Sequence, residues 1–249
     1  MIKTLIQKLF LMTQKNIKEL KNIHVDQDIW VLAAGPSMNY LSPSFFENKI
    51  TIGVNRICKF FNCDYIVAKD GRGFSEILDA IDNKVELILS KHESGNLYQN
   101  LNTCEKDHYI FDHPAKPQEK PDLSCIDKNQ DKIVVSFSTI TSAIHIAAYL
   151  GAKNIMICGH DCGTIDGEST IRKYYDKTII PHQGTNEGYI KWLSGIEDHT
   201  ILVASKIYKV FGCNIHSINP FLNFNLEGHK YKSSYGGEVL QRNLMKDNK

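Results

Sequence analysis

Four short segments of the chain bring together residue types that hold phosphates, sugars or transferable protons. In Ala33-Ala34-Gly35-Pro36-Ser37 an apolar run ends in a residue without a Cβ, a residue of fixed φ and a hydroxyl. Gly35 admits close approach of a ligand to the backbone, Pro36 sets the chain direction, and Ser37 offers a hydroxyl and an amide to a phosphate or ribose. The same residues equally suit a tight turn that opens a helix. In Ile52-Gly53-Val54-Asn55-Arg56 the Asn55 amide pairs a donor with an acceptor, which reads the edge of a base or sugar or caps the next segment. In Val67-Ala68-Lys69-Asp70-Gly71-Arg72, Asp70 suits a ribose, a divalent cation or a helix cap, and no second carboxylate is spaced to join it on a metal. The longest segment runs from Ser136 to Asp161. A Ser/Thr cluster containing Thr141 and Ser142 opens a helix, whose first amides suit an anion or are capped by those hydroxyls, and a strand then delivers Gly159-His160-Asp161.

These segments need elements that end at one edge. From Asp28 onward, short apolar runs alternate with helical patterns, which predicts a parallel sheet with crossover helices. Strands are expected at 28–33, 50–53, 65–68, 85–89, 108–111, 154–158 and 214–217, and helices at 74–82, 139–150 and 199–211. The fold class is α/β, a Rossmann-like, mostly parallel sheet flanked by helices, forming one nucleotide-binding domain over residues 28–220. In such sheets ligands bind at the carboxyl ends of the strands. Residues 163–195, rich in Gly, Thr, Tyr and charge, are expected to be a flexible active-site insertion. Pro114, Pro117 and Pro121 make 113–132 a loop, and 221–249 reads as a polar tail. Residues 1–27 read as an N-terminal amphipathic helix with Ile2, Leu5, Leu9 and Met12 on one face. That helix suits packing on its own domain or a second subunit, or contact with a membrane surface.

Composition narrows the partners. Lys+Arg 29 against Asp+Glu 28 leaves +1, which gives no bulk electrostatic reason for a nucleic-acid partner. Seven cysteines without a C-x-x-C pair suit reduced thiols and a cytoplasmic protein, at most peripheral at the inner membrane face. Cys158, His160 and Cys162 are zinc-ligand types, but no fourth ligand is evident, so no metal site is assigned.

The Gly-Pro-Ser turn, the strand into Asn55, Thr141-Ser142, the helix with Leu150-Gly-Ala-Lys-Asn-Ile and the strand into Gly159-His-Asp161 resemble the bacterial sialyltransferases that build lipooligosaccharide. They are also similar to the broader group of flagellin-glycosylating motility accessory factors and archaeal 6-hydroxymethylpterin pyrophosphokinases. The resemblance implies that Gly35, Pro36, Ser37, Asn55 and Ser142 hold the cytidine monophosphate of a donor. It also implies that His199 is the general base, work that imidazole suits because its ordinary pKa lies near operating pH; a surface or capping histidine is the other reading, and His182 and His160 are the next candidates. Ala34 stands where those enzymes carry Asn, Thr139 where they carry Arg, and Gly163 and Ser169 where they carry tyrosines. Tyr174 and Tyr175, with Arg172 and Lys173, are the substitutes for receiving a leaving phosphate. The resemblance thus implies transfer of a sialic-acid-like sugar from a nucleotide-sugar donor to a glycan acceptor, with no cofactor. The alternatives are a magnesium-dependent pterin diphosphokinase using Asp70 or Asp161, and a nucleotide-binding module without catalysis.

Overall fold

The computed structural model describes residues 14–69, 71, 73–91, 104, 106–112, 120–165, 168–175, 186–220 and 239–243. Its strands are β1 (Gln14–Asn16), β2 (Asp28–Leu32), β3 (Ile50–Val54), β4 (Tyr65–Ala68), β5 (Glu86–Lys91), β6 (His108–Asp112), β7 (Asn154–Cys158), β8 (Asn214–Pro220) and β9 (Val239–Asn243). Among the described residues they form one sheet in the order β1-β6-β5-β4-β3-β2-β7-β8-β9. Every neighbouring pair is parallel except β8 with β9. The chain winds outward from β2 through β3, β4 and β5 to β6, then returns to place β7 and β8 on the other side of β2. The strand order therefore reverses at β2 and β7, whose carboxyl ends carry Gly35 and Gly159, and a crevice at such a reversal is the usual ligand position in this architecture.

The strands are apolar on both faces because both faces are covered. Ile29 and Val31 of β2, Ile52 of β3, Val67 of β4 and Ile157 of β7 join one core with the helices α2 (Thr139–Tyr149) and α3 (Asn186–Phe211). The intervening Leu32, Ile66, Leu89 and Cys158 join a second core, under α1 (Phe74–Ala80), the 3-10 turns after β2 and β3, and Ile171 and Tyr174. The period of two along each strand places alternate side chains in alternate cores.

Four expectations change. Residues 14–16 of the expected N-terminal helix are a strand that covers the β6 edge, followed by a 3-10 turn at Ile17–Leu20 whose capping box is Asn16 with Glu19. An uncovered parallel edge would leave backbone groups unpaired, and Ile17 and Leu20 reach the core in this arrangement; residues 1–13 lie outside the described residues. Helix α3 begins at Asn186, so the last part of the expected flexible insertion is helical and His199 lies within the helix instead of opening it. The tail expected over 221–249 contributes β9, which continues the sheet. Finally, Leu123–Cys125 form a 3-10 turn and Ile126 is buried in the expected 113–132 loop, of which 113–119 lie outside the described residues. No helix among the described residues is long and apolar enough to cross a membrane.

Gly53 sits where β3 meets the second core. A Cβ there would lie 2.6 Å from Ile66 Cδ1, 2.7 Å from Cys63 Sγ and 2.8 Å from Ile57 Cγ2. Gly53→Ala is expected to lower the unfolding free energy by about 1–3 kcal/mol through overpacking. A urea midpoint that falls at unchanged slope checks this, whereas an unaltered midpoint would mean the pocket yields freely.

Candidate functional site

The two strand ends at the reversal are bound to each other. The Ala33 amide donates to the Cys158 carbonyl at 2.8 Å and the Gly35 amide to the Gly159 carbonyl at 2.7 Å, extending the β2–β7 ladder past both strands. The Asp161 carboxylate then accepts the Ser37 amide at 2.8 Å, at the start of the 3-10 turn Pro36–Tyr40. Gly35 is required by this contact, since a Cβ would lie 2.3 Å from the Gly159 carbonyl oxygen and 2.4 Å from Asp161 Oδ2. Gly159, at φ +70°, is in the left-handed region, and a Cβ on it would meet the Ala33 carbonyl oxygen and Met38 Cγ, each at 2.5 Å. The missing Cβ atoms thus admit the opposite strand end, and the Ser37 amide expected for a phosphate is taken by Asp161. Asp161 is buried, and loss of hydration holds its carboxyl up at about 6 despite hydrogen bonding from Ser37.

A second cluster forms where β3 ends beside the start of α2. Asn55 has a left-handed φ of +54°, and its Nδ2 lies 3.5 Å from Thr139 Oγ1. Its Oδ1 is buried without a hydrogen-bond partner, a loss of about 1–3 kcal/mol unless a donor arrives. The expected anion-binding hydroxyls, by contrast, are committed to the loop. Thr141 Oγ1 donates to the Ser138 carbonyl at 2.9 Å and meets Ser136 Oγ at 2.8 Å, while Ser142 Oγ donates to the Val134 carbonyl at 2.8 Å. The Val134 amide donates to Nδ1 of fully buried His145 at 3.0 Å, and Lys69 Nζ donates to the Ser136 carbonyl. Burial pushes the His145 pKa down to about 3, so its ring is neutral and Nδ1 stays an acceptor. Thr141 and Ser142 therefore shape the entry to α2, where the Ser138 side chain accepts the Ile140 amide.

His199 comes to the same place from α3. Helices preceding β7 and β8 in a parallel sheet start at its carboxyl edge, and His199 stacks on Phe137, immediately before the α2 cap Ser138, with centroids 5.7 Å apart and planes 13° from parallel. Its Nδ1 is buried with no hydrogen-bond partner. Trp192 meets Phe137 edge-on at 5.0 Å. Sequence reasoning missed these aromatics; the signal was one large apolar residue, Phe137, inside a Ser/Thr cluster.

Ile171, Tyr174 and Tyr175 of the insertion pack on the opposite core. The Ile171 amide donates to the Ala34 carbonyl at 2.8 Å and the Arg172 amide to Asn39 Oδ1 at 2.9 Å, so the segment before Tyr174 is tied to the Gly-Pro-Ser turn. The buried Arg56 guanidinium lies 4.6 Å from the Tyr174 ring centroid and 5.3 Å from that of Tyr175, with Nη1 3.3 Å from Glu76 Oε1. Burial raises the Tyr174 pKa, so its phenol stays neutral while it packs on Arg56. Cys162 Sγ lies 3.5 Å from His160 Nε2, but among the described residues no three ligating side chains converge on a metal position. Asp70 and His182 lie outside the described residues.

The sequence profile of a family described as 6-hydroxymethylpterin diphosphokinase MptE-like matches residues 3–167. No curated protein matches the chain. Among solved structures, the sialyltransferase CstII from Campylobacter jejuni, in complex with the substrate analogue cytidine-5'-monophosphate, is similar at 12% identity and a TM-score of 0.47, over 88% of this chain and 91% of that one. A point mutant of α-2,3/8-sialyltransferase CstII is similar at 14% identity and a TM-score of 0.46, over 87% of this chain and 92% of that one.

With its pKa raised to about 6 from an ordinary 3.8, folded Asp161 takes a proton at a pH where the unfolded chain does not. The associated stability is present in full below about pH 4 and is lost as pH rises through 6. Asp161→Asn keeps an acceptor for the Ser37 amide without a charge. Relative to that variant, the wild type is expected to gain up to roughly 3 kcal/mol between pH 7.5 and pH 4. Urea unfolding of both proteins across this range measures the gain, and a pH-independent difference would contradict the burial of a charged carboxylate.

Proposed function

The chain belongs to the 6-hydroxymethylpterin diphosphokinase MptE-like family, and from that premise we propose a nucleotide-dependent transferase that binds its donor at the carboxyl edge and uses His199 to activate an acceptor hydroxyl. One observation carries this reading. The unsatisfied Asn55 oxygen and the stacked His199 ring flank the same helix start, through Thr139 on one side of Ser138 and Phe137 on the other. A nucleotide edge bound by Asn55 would relieve its orphaned acceptor, and a phosphate would face the α2 amides.

In the finer reading the donor is a cytidine monophosphate-activated, sialic-acid-like sugar and the acceptor a glycan. A ring nitrogen of His199 takes the proton from the acceptor hydroxyl while that oxygen forms a bond to the anomeric carbon. The bond from this carbon to the phosphate oxygen breaks, the configuration inverts, and cytidine monophosphate leaves. Arg172 and Lys173, both exposed after the Ile171 anchor, are the cations offered to the developing phosphate charge. The residues of the Gly35 turn and Asp161 act in this scheme by shaping the edge.

Family membership favours a second reading, transfer of a diphosphoryl group from a nucleoside triphosphate to a hydroxymethyl group. Magnesium would then neutralise the phosphates. Asp161, the carboxylate at the reversal, accepts the Ser37 amide, and Asp70 lies outside the described residues.

A thermal-shift panel of cytidine monophosphate, cytidine triphosphate, uridine diphosphate and ATP, each with and without magnesium, separates the readings. The sugar-transfer reading expects stabilisation by cytidine monophosphate without magnesium; magnesium-dependent stabilisation by a triphosphate alone would overturn it in favour of the second. Asn55→Ala is expected to weaken the stabilising nucleotide by about 1–3 kcal/mol, and unchanged affinity would remove Asn55 from the site. His199→Ala is expected to lower transferase turnover roughly 10²- to 10⁴-fold with nucleotide affinity near wild type. Full turnover in this variant would eliminate His199 as the base.

A further inference from the structure

We infer that Phe137 is a positioning residue for His199, holding the imidazole for proton transfer by stacking where other enzymes use a hydrogen-bonded carboxylate. The inference rests on the reading of His199 as the base. A catalytic histidine is commonly oriented by a partner on its second nitrogen. His199 is 8% exposed, yet its Nδ1 is buried without any such partner. Its orientation therefore has to come from ring contacts. The parallel Phe137 ring, at 5.7 Å and 13°, lies in the range of offset stacking.

The Phe137 ring is itself supported. Trp192 lies seven residues before His199 on α3, two helical turns away and on the same face, and it meets Phe137 edge-on at 5.0 Å and 73°. Phe137 thus touches two rings from one helix face. Both Phe137 and Trp192 are 40% exposed, so burial alone does not hold them. The backbone does: the Ser136 carbonyl accepts from Lys69 Nζ, Ser136 Oγ meets Thr141 Oγ1 at 2.8 Å, and the Ser138 side chain caps α2. This anchored stretch also carries Thr139 to Asn55, so the ring that fixes the base and the residue that meets the nucleotide cluster move as one unit. As proton transfer makes imidazolium, the negative face of the Phe137 ring favours the new charge.

The test uses Phe137→Ala, Phe137→Leu and Phe137→Tyr in the full chain. The imidazole C–H resonances of His199, assigned by their loss in His199→Ala, should shift in the Ala and Leu variants as the ring current disappears and stay near wild type in Phe137→Tyr. This readout needs no turnover, and unchanged resonances in Phe137→Leu overturn the proposal by themselves. With cytidine monophosphate–sialic acid as donor and a β-galactoside as acceptor, Phe137→Ala and Phe137→Leu are expected to lose about ten- to a hundredfold in kcat at nearly unchanged donor affinity, with recovery in Phe137→Tyr. Full turnover in the Leu variant overturns the positioning role, because apolar volume would then suffice; Leu also decides the matter if Phe137→Ala fails to fold. If His199→Ala keeps full turnover, the base assignment falls and the proposal with it. Loss in His199→Ala beside full turnover in Phe137→Leu leaves the base standing and removes only its support.

Discussion

A buried carboxylate reinforces the β2–β7 ladder that joins the two halves of the sheet. Asp161 takes the Ser37 amide across the point where strand order reverses, and burial raises its pKa to about 6 while hydrogen bonding from Ser37 works in the other direction. Removing hydration from a carboxylate is costly, and a backbone amide at a helical start is among the few groups that offset it. The contact exists only because Gly35 and Gly159 let the two strand ends meet without side chains between them. The position of the Gly-Pro-Ser turn, and with it the anchoring of the insertion through Ala34 and Asn39, depends on this closure.

One strand across from the closed reversal, the end of β3 meets the entrance of α2. There the polar groups are of two kinds. The hydroxyls of Thr141 and Ser142 are satisfied within the loop and make it rigid, whereas Asn55 Oδ1 and His199 Nδ1 are buried without partners. The satisfied groups build the scaffold of this edge. The same stretch of backbone, Ser136 to Thr139, meets Lys69 of the sheet edge, Asn55 through Thr139 and His199 through Phe137.

Arg56 gives the opposite core a comparable anchor. Its guanidinium, covered by Tyr174 and Tyr175 and paired with Glu76, follows Asn55 directly in the chain. The left-handed turn at Asn55 is therefore gripped on its carboxyl side by a buried cation while its amide faces Thr139 on the other. Aromatic faces and an ion pair together make burial of that cation acceptable, where either alone would leave part of its hydration unreplaced.

Local pattern determined much of this molecule. Seven strands, the helices at Phe74 and Thr139 and the edge where the motifs end were legible because side-chain alternation and helical spacing act over a few residues. The family resemblance was legible for the same reason, since it rests on short contiguous segments. The strands β1 and β9 were not, because each is defined by the edge it covers. Nor could spacing show that Asp161 spends its charge on an amide 124 residues away, or that Asn55 faces a threonine 84 residues away. Only tertiary structure decided which hydroxyls are scaffold, which polar atoms stay unsatisfied and which ring supports His199. These are properties of pairs brought together by the winding of the sheet, and neither residue of a pair carries the information alone.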